Sequence, residues 1–95
     1  MVKTKVVNIN DEPYDVFIGR PSLWGNPYKI GRDGTRSEVL VKYYWYIKGN
    51  DYFMRKTYEL KGKVLGCYCK PKPCHGDVLV KLIEEMDVEK FMKEK

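Results

Sequence analysis

The chain reads as an α/β protein: a small three-stranded sheet, at least partly parallel, with three or four helices packed on it. Three observations carry that expectation. Residues 2–9 alternate loosely, while 14–19 and 63–69 are short and nearly continuously apolar, the pattern of strands that helices cover. Helical periodicity over residues 35–60 occupies the later part of the long interval between the second and third runs, which suits a crossover between parallel strands. A further amphipathic segment follows the third run. With 95 residues there is room for one core. Residues 1–95 are therefore one domain, with its motifs in 14–86 and a helical, frayed tail at 87–95.

Taken in order, Val6, Val7 and Ile9 mark a first strand, and Asn10-Asp11-Glu12-Pro13 is a turn. Val16, Phe17 and Ile18 make a second strand that ends at Gly19, with Tyr14 and Asp15 at the surface. Thr35-Arg36-Ser37-Glu38 has the spacing of a capping box and starts a helix. Val39, Leu40, Tyr43, Tyr44 and Ile47 share one face of that helix, and Gly49-Asn50 stops it. Asp51 caps a shorter helix running through Leu60, with Phe53, Met54 and Tyr58 apolar. After the third strand, residues 78–86 form an amphipathic helix, and Asp87 starts a last turn carrying Val88, Phe91 and Met92. No internal repeat or low-complexity segment is present.

Composition narrows the function classes. Hydrophobic residues at 43% and aromatics at 14% exclude a disordered tail. Eighteen basic against 13 acidic residues leave a net charge of +5, which suits a phosphate-bearing small molecule or nucleic acid. The plainer alternative is a lysine-rich solvated surface, because the charges are interspersed. No apolar run approaches a membrane span and no leader follows the start, so the expected setting is cytoplasmic, with no membrane partner and reduced thiols.

Two loops concentrate the chemistry. From Gly19 to Thr35 all periodicity is lost, and a loop this long in so small a domain tends to be functional. Gly19 and Ser22 shape its start, Arg20, Arg32 and Arg36 are suited to forked bonds with phosphate, Trp24 to stacking, and Asn26 to ligand contact. The competing reading is an Ω-like loop that packs Leu23 and Trp24 over the sheet edge, with Asn26 capping a turn.

The second loop, Cys67-Tyr68-Cys69-Lys70-Pro71-Lys72-Pro73-Cys74-His75-Gly76-Asp77, holds all three cysteines and the sole histidine within nine residues. Four readings stay open here. Cys67, Cys69, Cys74 and His75 could ligate zinc, although one C-x-C beside a C-H is cramped for a single ion. Alternatively, Cys74, His75 and Asp77 are catalytic: the helix start favours a Cys74 thiolate, Asp77 or a carbonyl orients His75, and Gly76 admits a ligand. A Cys67–Cys74 or Cys69–Cys74 disulfide is the third reading. In the fourth, the cysteines are small buried hydrophobes and Asp77 complements the helix dipole. If the second and third strands are parallel neighbours, both loops open on one sheet edge and face each other across a crevice. The ligand would then lie between the loops, with transfer or hydrolysis at a nucleotide as the reaction class. The alternatives are a zinc-stabilised, non-catalytic nucleic-acid-binding module, or an interaction protein that forms a homodimer through the tyrosine-rich helix.

Three motifs, in this order, also resemble a known family. Gly19-Arg20-Pro21-Ser22-x-Trp24-Gly25-Asn26-Pro27, Gly31-Arg32-Asp33-Gly34-Thr35-Arg36 and Cys67-x-Cys69-x-Pro71-x-Pro73-Cys74-His75-Gly76-Asp77-Val78-Leu79 are similar to domain-of-unknown-function family 4326, small proteins of bacteria, archaea and their viruses. The resemblance runs from Tyr14 to Leu82. It implies a prokaryotic or viral intracellular source and one compact domain, and it supplies neither substrate nor catalytic roles.

Overall fold

A computed structural model describes residues 3–20 and 22–93. Its elements run β1 (Lys5–Asn8), β2 (Val16–Phe17), α1 (Arg36–Lys48), α2 (Asp51–Tyr58), β3 (Val64–Cys67) and α3 (His75–Lys93). The three strands are all parallel in the order β1-β3-β2, so the α/β expectation holds with three helices among the described residues. Val2, where the first strand was expected to begin, lies outside the described residues, as do positions 94 and 95 of the tail. β2 is shorter than expected as a strand. Its pairing nevertheless continues through Asp15 N–H to Val64 O (2.8 Å) and Ile18 N–H to Gly66 O (2.9 Å), while the Asp15 carboxylate accepts from Val64 N–H.

Helices cover one face of the sheet. Side chains alternate along a strand, so Val6, Leu65 and Cys67 face the helices while Val7 and Gly66 face the other way. The link from β1 to β2 passes from one edge to the other across β3. A Cβ on Gly66 would lie 2.6 Å from the Tyr14 ring and 2.7 Å from Ile9, so only glycine admits this crossing. Ile9 and Tyr14 thus take the place of helices on that face. On the helical side, a Cβ on Gly76 would lie 2.8 Å from both Val6 and Ile18, so the start of α3 sits directly on the sheet. Gly76 serves this close packing rather than the approach of a ligand.

α1 begins as its sequence dictates: Thr35 caps Glu38 N–H, and the Glu38 carboxylate accepts from Thr35 N–H. It buries Val39, Tyr43 and Ile47. The cap of α2 is Asn50 rather than Asp51, because the Asn50 side chain reaches Phe53 N–H at 3.1 Å. α3 is one continuous helix that starts three residues earlier than expected and runs through Asp87 without a break. Asp87 instead accepts from Tyr58 Oη (2.7 Å) and Lys61 Nζ (2.9 Å), tying α3 to the end of α2. The core formed between helices and sheet contains Ile18, Tyr43, Ile47, Leu65, Cys67, Cys74, Leu79 and Leu82. No helix among the described residues is long and apolar enough to cross a membrane.

Candidate functional site: a cationic crevice between two loops

β2 and β3 are parallel neighbours, so the loops that follow them leave the same edge of the sheet. Between them lies a cavity of about 440 Å³, and the first turns of α1 close its third side. Arg20 and Lys29 enter its lining from the first loop and Arg36 from α1; Cys69, Cys74 and His75 enter from the second loop and the start of α3. No carboxylate lines it among the described residues. The volume lies within the range of about 300–1,000 Å³ usual for small-ligand clefts.

The first loop is held by its own polar groups. Arg20 Nε donates to Asn26 O (2.8 Å) and its Nη2 to Tyr28 O (3.2 Å), drawing the chain into a closed path. Asn26 is buried; its Oδ1 accepts from Tyr28 N–H, and its Nδ2 lies 3.5 Å from Val39 O. Asn26 therefore lines the crevice while its amide serves the turn. Trp24 does not line the crevice: it packs against the core, and its backbone carbonyl accepts from the buried Tyr43 hydroxyl. Ser22 also lies off the crevice, with its hydroxyl buried among the turns and lacking a partner among the described residues. Arg32 turns away from the cavity to Asp33 (2.8 Å) and Pro27 O (3.1 Å), a surface pair that raises the Arg32 pKa and lowers that of Asp33. Of the Ω-like reading, Trp24 packs inward and Asn26 serves a turn, but Leu23 is exposed; Gly19, Arg20, Asn26 and Arg36 are on the crevice wall.

The second loop is held by its neighbours. Asn8, at the end of β1, donates from Nδ2 to Lys70 O (2.8 Å) and Tyr68 O (3.3 Å). Arg36 Nη1 donates to Pro73 O (2.9 Å). The loop includes a cis Lys70–Pro71 peptide and a turn closed by Lys72 N–H to Cys69 O. Asp77 accepts from Cys74 N–H (3.1 Å) and Lys70 Nζ (2.6 Å) and does not line the cavity. The start of α3 is therefore already occupied by a carboxylate, as Glu38 occupies the start of α1. Side-chain cations, rather than free helix N–H groups, give the crevice its positive character.

Cys74 is buried, and burial pushes its thiol pKa far up, with the contact to Cys67 adding to the effect and Gly76 N–H opposing it. Desolvation here outweighs the helix dipole that was expected to favour thiolate. Cys67 and Cys74 lie Sγ to Sγ at 3.1 Å, and all three cysteines are free thiols. His75 Nε2 lies 2.6 Å from Ile18 O, which makes it the protonated nitrogen and leaves Nδ1 3.8 Å from Cys74 Sγ. Burial lowers the His75 pKa; the Ile18 bond opposes this, and the nearby charge of Arg20 lowers it further. The ring is neutral at pH 7, oriented by a carbonyl rather than by Asp77, and edge-on to Tyr43 at 5.3 Å. For the expected zinc set, no group of three or more His, Cys, Asp or Glu side chains among the described residues is placed to hold a metal ion.

Lys29 and Tyr68 on the crevice lining were missed as site residues. Tyr68 is 61% exposed and meets Phe17 edge-on at 5.6 Å. A large aromatic left between two cysteines at a strand end is the signal that could have found it.

No solved structure matches the chain. An uncharacterised 12.4 kDa protein from the nrdA-td intergenic region of Enterobacteria phage T4 is 33% identical over 95 residues, covering 95% of this chain and 86% of the phage protein. The family described as "Domain of unknown function (DUF4326)" matches residues 2–85, nearly the whole described fold including both loops and the crevice between them. The chain belongs to that family.

Proposed function

We propose that the crevice binds the phosphate of a nucleotide. The observation that carries this reading is the lining itself: Arg20, Lys29 and Arg36 converge on a partly apolar cavity with no carboxylate among its described residues. A cation cluster left without a carboxylate in its own cavity favours an anion. Tyr28 and Tyr68 supply aromatic faces at the rim for a base. The reading is one of binding first. Cys74 is held as a protonated thiol and His75 Nε2 is committed to Ile18 O, so transfer or hydrolysis would require His75 to act through Nδ1. A cytoplasmic setting belongs to the same reading.

Calorimetric titration with dTMP, thymidine and inorganic phosphate tests this. dTMP should bind and thymidine should bind far more weakly. Lys29→Gln and Arg36→Gln should each weaken dTMP about tenfold, the scale of one charge-assisted hydrogen bond. Equal affinity for thymidine and dTMP would remove the phosphate from the reading. Zinc at about one per chain in freshly purified protein, with unfolding by a chelator, would favour the zinc-stabilised module instead.

A further inference from the structure

Tyr28, on the crevice wall, is the first of four rings in contact. It meets Tyr46 edge-on at 6.1 Å between centroids; Tyr46 meets Phe53 at 5.4 Å, and Phe53 meets Tyr52 at 6.0 Å. Tyr46 is 38% exposed and Tyr52 is 52% exposed, so the line of rings runs from the crevice outward over α1 and α2. A lysine stands at each end: Lys42 Nζ lies 5.9 Å from the Tyr28 centroid and Lys56 Nζ 5.7 Å from that of Tyr52. Charge is segregated in the same sense. α1 and α2 carry five Lys and Arg against two carboxylates; Glu38 is engaged in the capping box, Lys48 pairs with Glu85 of α3 (3.7 Å) and Lys56 lies 3.8 Å from the Glu59 carboxylate. α3 carries five carboxylates against three lysines.

We propose that this track binds single-stranded nucleic acid, with one end of the strand entering the crevice. An unpaired strand offers a flat base and a phosphate at every unit, which matches a line of rings with a lysine at either end. A duplex hides its base faces. A second copy of this chain, docking through a two-fold axis, would bring the same excess of positive charge against itself. The inference rests on the crevice reading only for where the strand ends; the track stands on its own rings and charges. It narrows the ligand from a free nucleotide to the terminus of a strand.

Fluorescence anisotropy with labelled, terminally phosphorylated oligo(dT), set beside dTMP calorimetry, tests the full chain. Oligo(dT) should bind at least about tenfold more tightly than dTMP. Tyr52→Ala should weaken oligo(dT) about tenfold and leave dTMP unchanged. Lys56→Gln should lower the salt dependence of oligo(dT) binding by about 0.7 in the log–log slope. Both substitutions lie at the surface, and unchanged melting temperatures would verify the fold. Oligo(dT) binding no tighter than dTMP, or oligo(dT) affinity unchanged in Tyr52→Ala, would overturn the track. A concentration-dependent dimer dissolved by Tyr52→Ala would overturn it too, by assigning the face to a second copy. Oligo(dT) binding that depends on Tyr52 and Lys56 in a protein that does not bind dTMP would support the track and dispose of the crevice reading.

Discussion

The two loops leave adjacent parallel strands at one sheet edge, yet they are built by opposite means. The loop from Gly19 to Thr35 is laced by its own side chains: Arg20 to Asn26 O and Tyr28 O, Asn26 to Tyr28 N–H, Arg32 to Asp33 and Pro27 O. The loop from Tyr68 to Cys74 makes few such bonds and is held from outside, by Asn8, Arg36 and the sulfur contact between Cys67 and Cys74. Self-lacing leaves the guanidinium groups of Arg20 and Arg32 at the surface. External holding draws the second loop inward and strips water from its thiol and imidazole. One wall of the crevice thus supplies charge, while the other supplies neutral, desolvated groups whose ordinary pKa values do not apply.

The largest effect expected from breaking this arrangement is at Gly76. Gly76→Val would drive a side chain into Val6 and Ile18 and lift α3, and with it the second loop, off the sheet. Overpacking of this kind costs about 1–3 kcal/mol or more, read as a drop in the urea midpoint. Asn8→Ala should come next, at about 1–3 kcal/mol, because it leaves the carbonyl of Lys70 without its donor. Thermal melts would register that loss, and limited proteolysis should cut first between Tyr68 and Pro73. Arg20→Gln should cost less, about 1 kcal/mol, since the lost bonds lie at the exposed loop.

Thiol chemistry sharpens the contrast. An alkylating reagent should modify Cys69, which is half-buried and lines the crevice, before the buried Cys67 and Cys74, and dTMP should slow that reaction. Modification of Cys74 first would mean that its thiol is not desolvated as the packing requires. The pH dependence follows from the same burial. The folded-state pKa of His75 is below the unfolded value of 6.5, so its neutral form stabilises the fold in full above that pH. As pH falls from 6.5 towards the lower folded value, the unfolded chain binds the extra proton and stability declines. Urea titrations from pH 7.5 downward should show this loss, and His75→Asn should flatten it. The smallest effect belongs to Arg32: Arg32→Gln should leave both stability and dTMP affinity within error, because the pair with Asp33 is solvated and outside the crevice.

Local signals in the chain were faithful where the contacts they encode are local. The capping box of Thr35 and Glu38 and the stop at Gly49 are each complete within a few residues, and α1 has the bounds they imply. Asn50 and Asp51 illustrate the limit of such reading: either side chain can cap, and only the backbone entering α2 selects Asn50. Asp87 resembles a helix start in sequence, but Tyr58 and Lys61, distant in sequence, claim its carboxylate. The convergence of the two loops was legible in part: the long interval between β2 and β3 suits a parallel crossover, whereas the order β1-β3-β2 that makes them neighbours emerges only in the fold. Trp24 as a core side chain and Arg32 as an outward one were not, since their partners are set by how the loop closes.

Taken alone, the sequence determined the elements, the bounds of α1 and the family, and it placed both chemical loops at one edge on the condition that β2 and β3 pair in parallel. These depend on periodicity, caps and motif spacing, all of which act over a few residues. The tertiary structure alone decided which cations face the crevice, that the Cys74 thiol is desolvated, which histidine nitrogen carries the proton, and that four rings from Tyr28 to Tyr52 come into contact. Burial and electrostatic environment sum over every neighbour in space, and no window along the chain contains those neighbours.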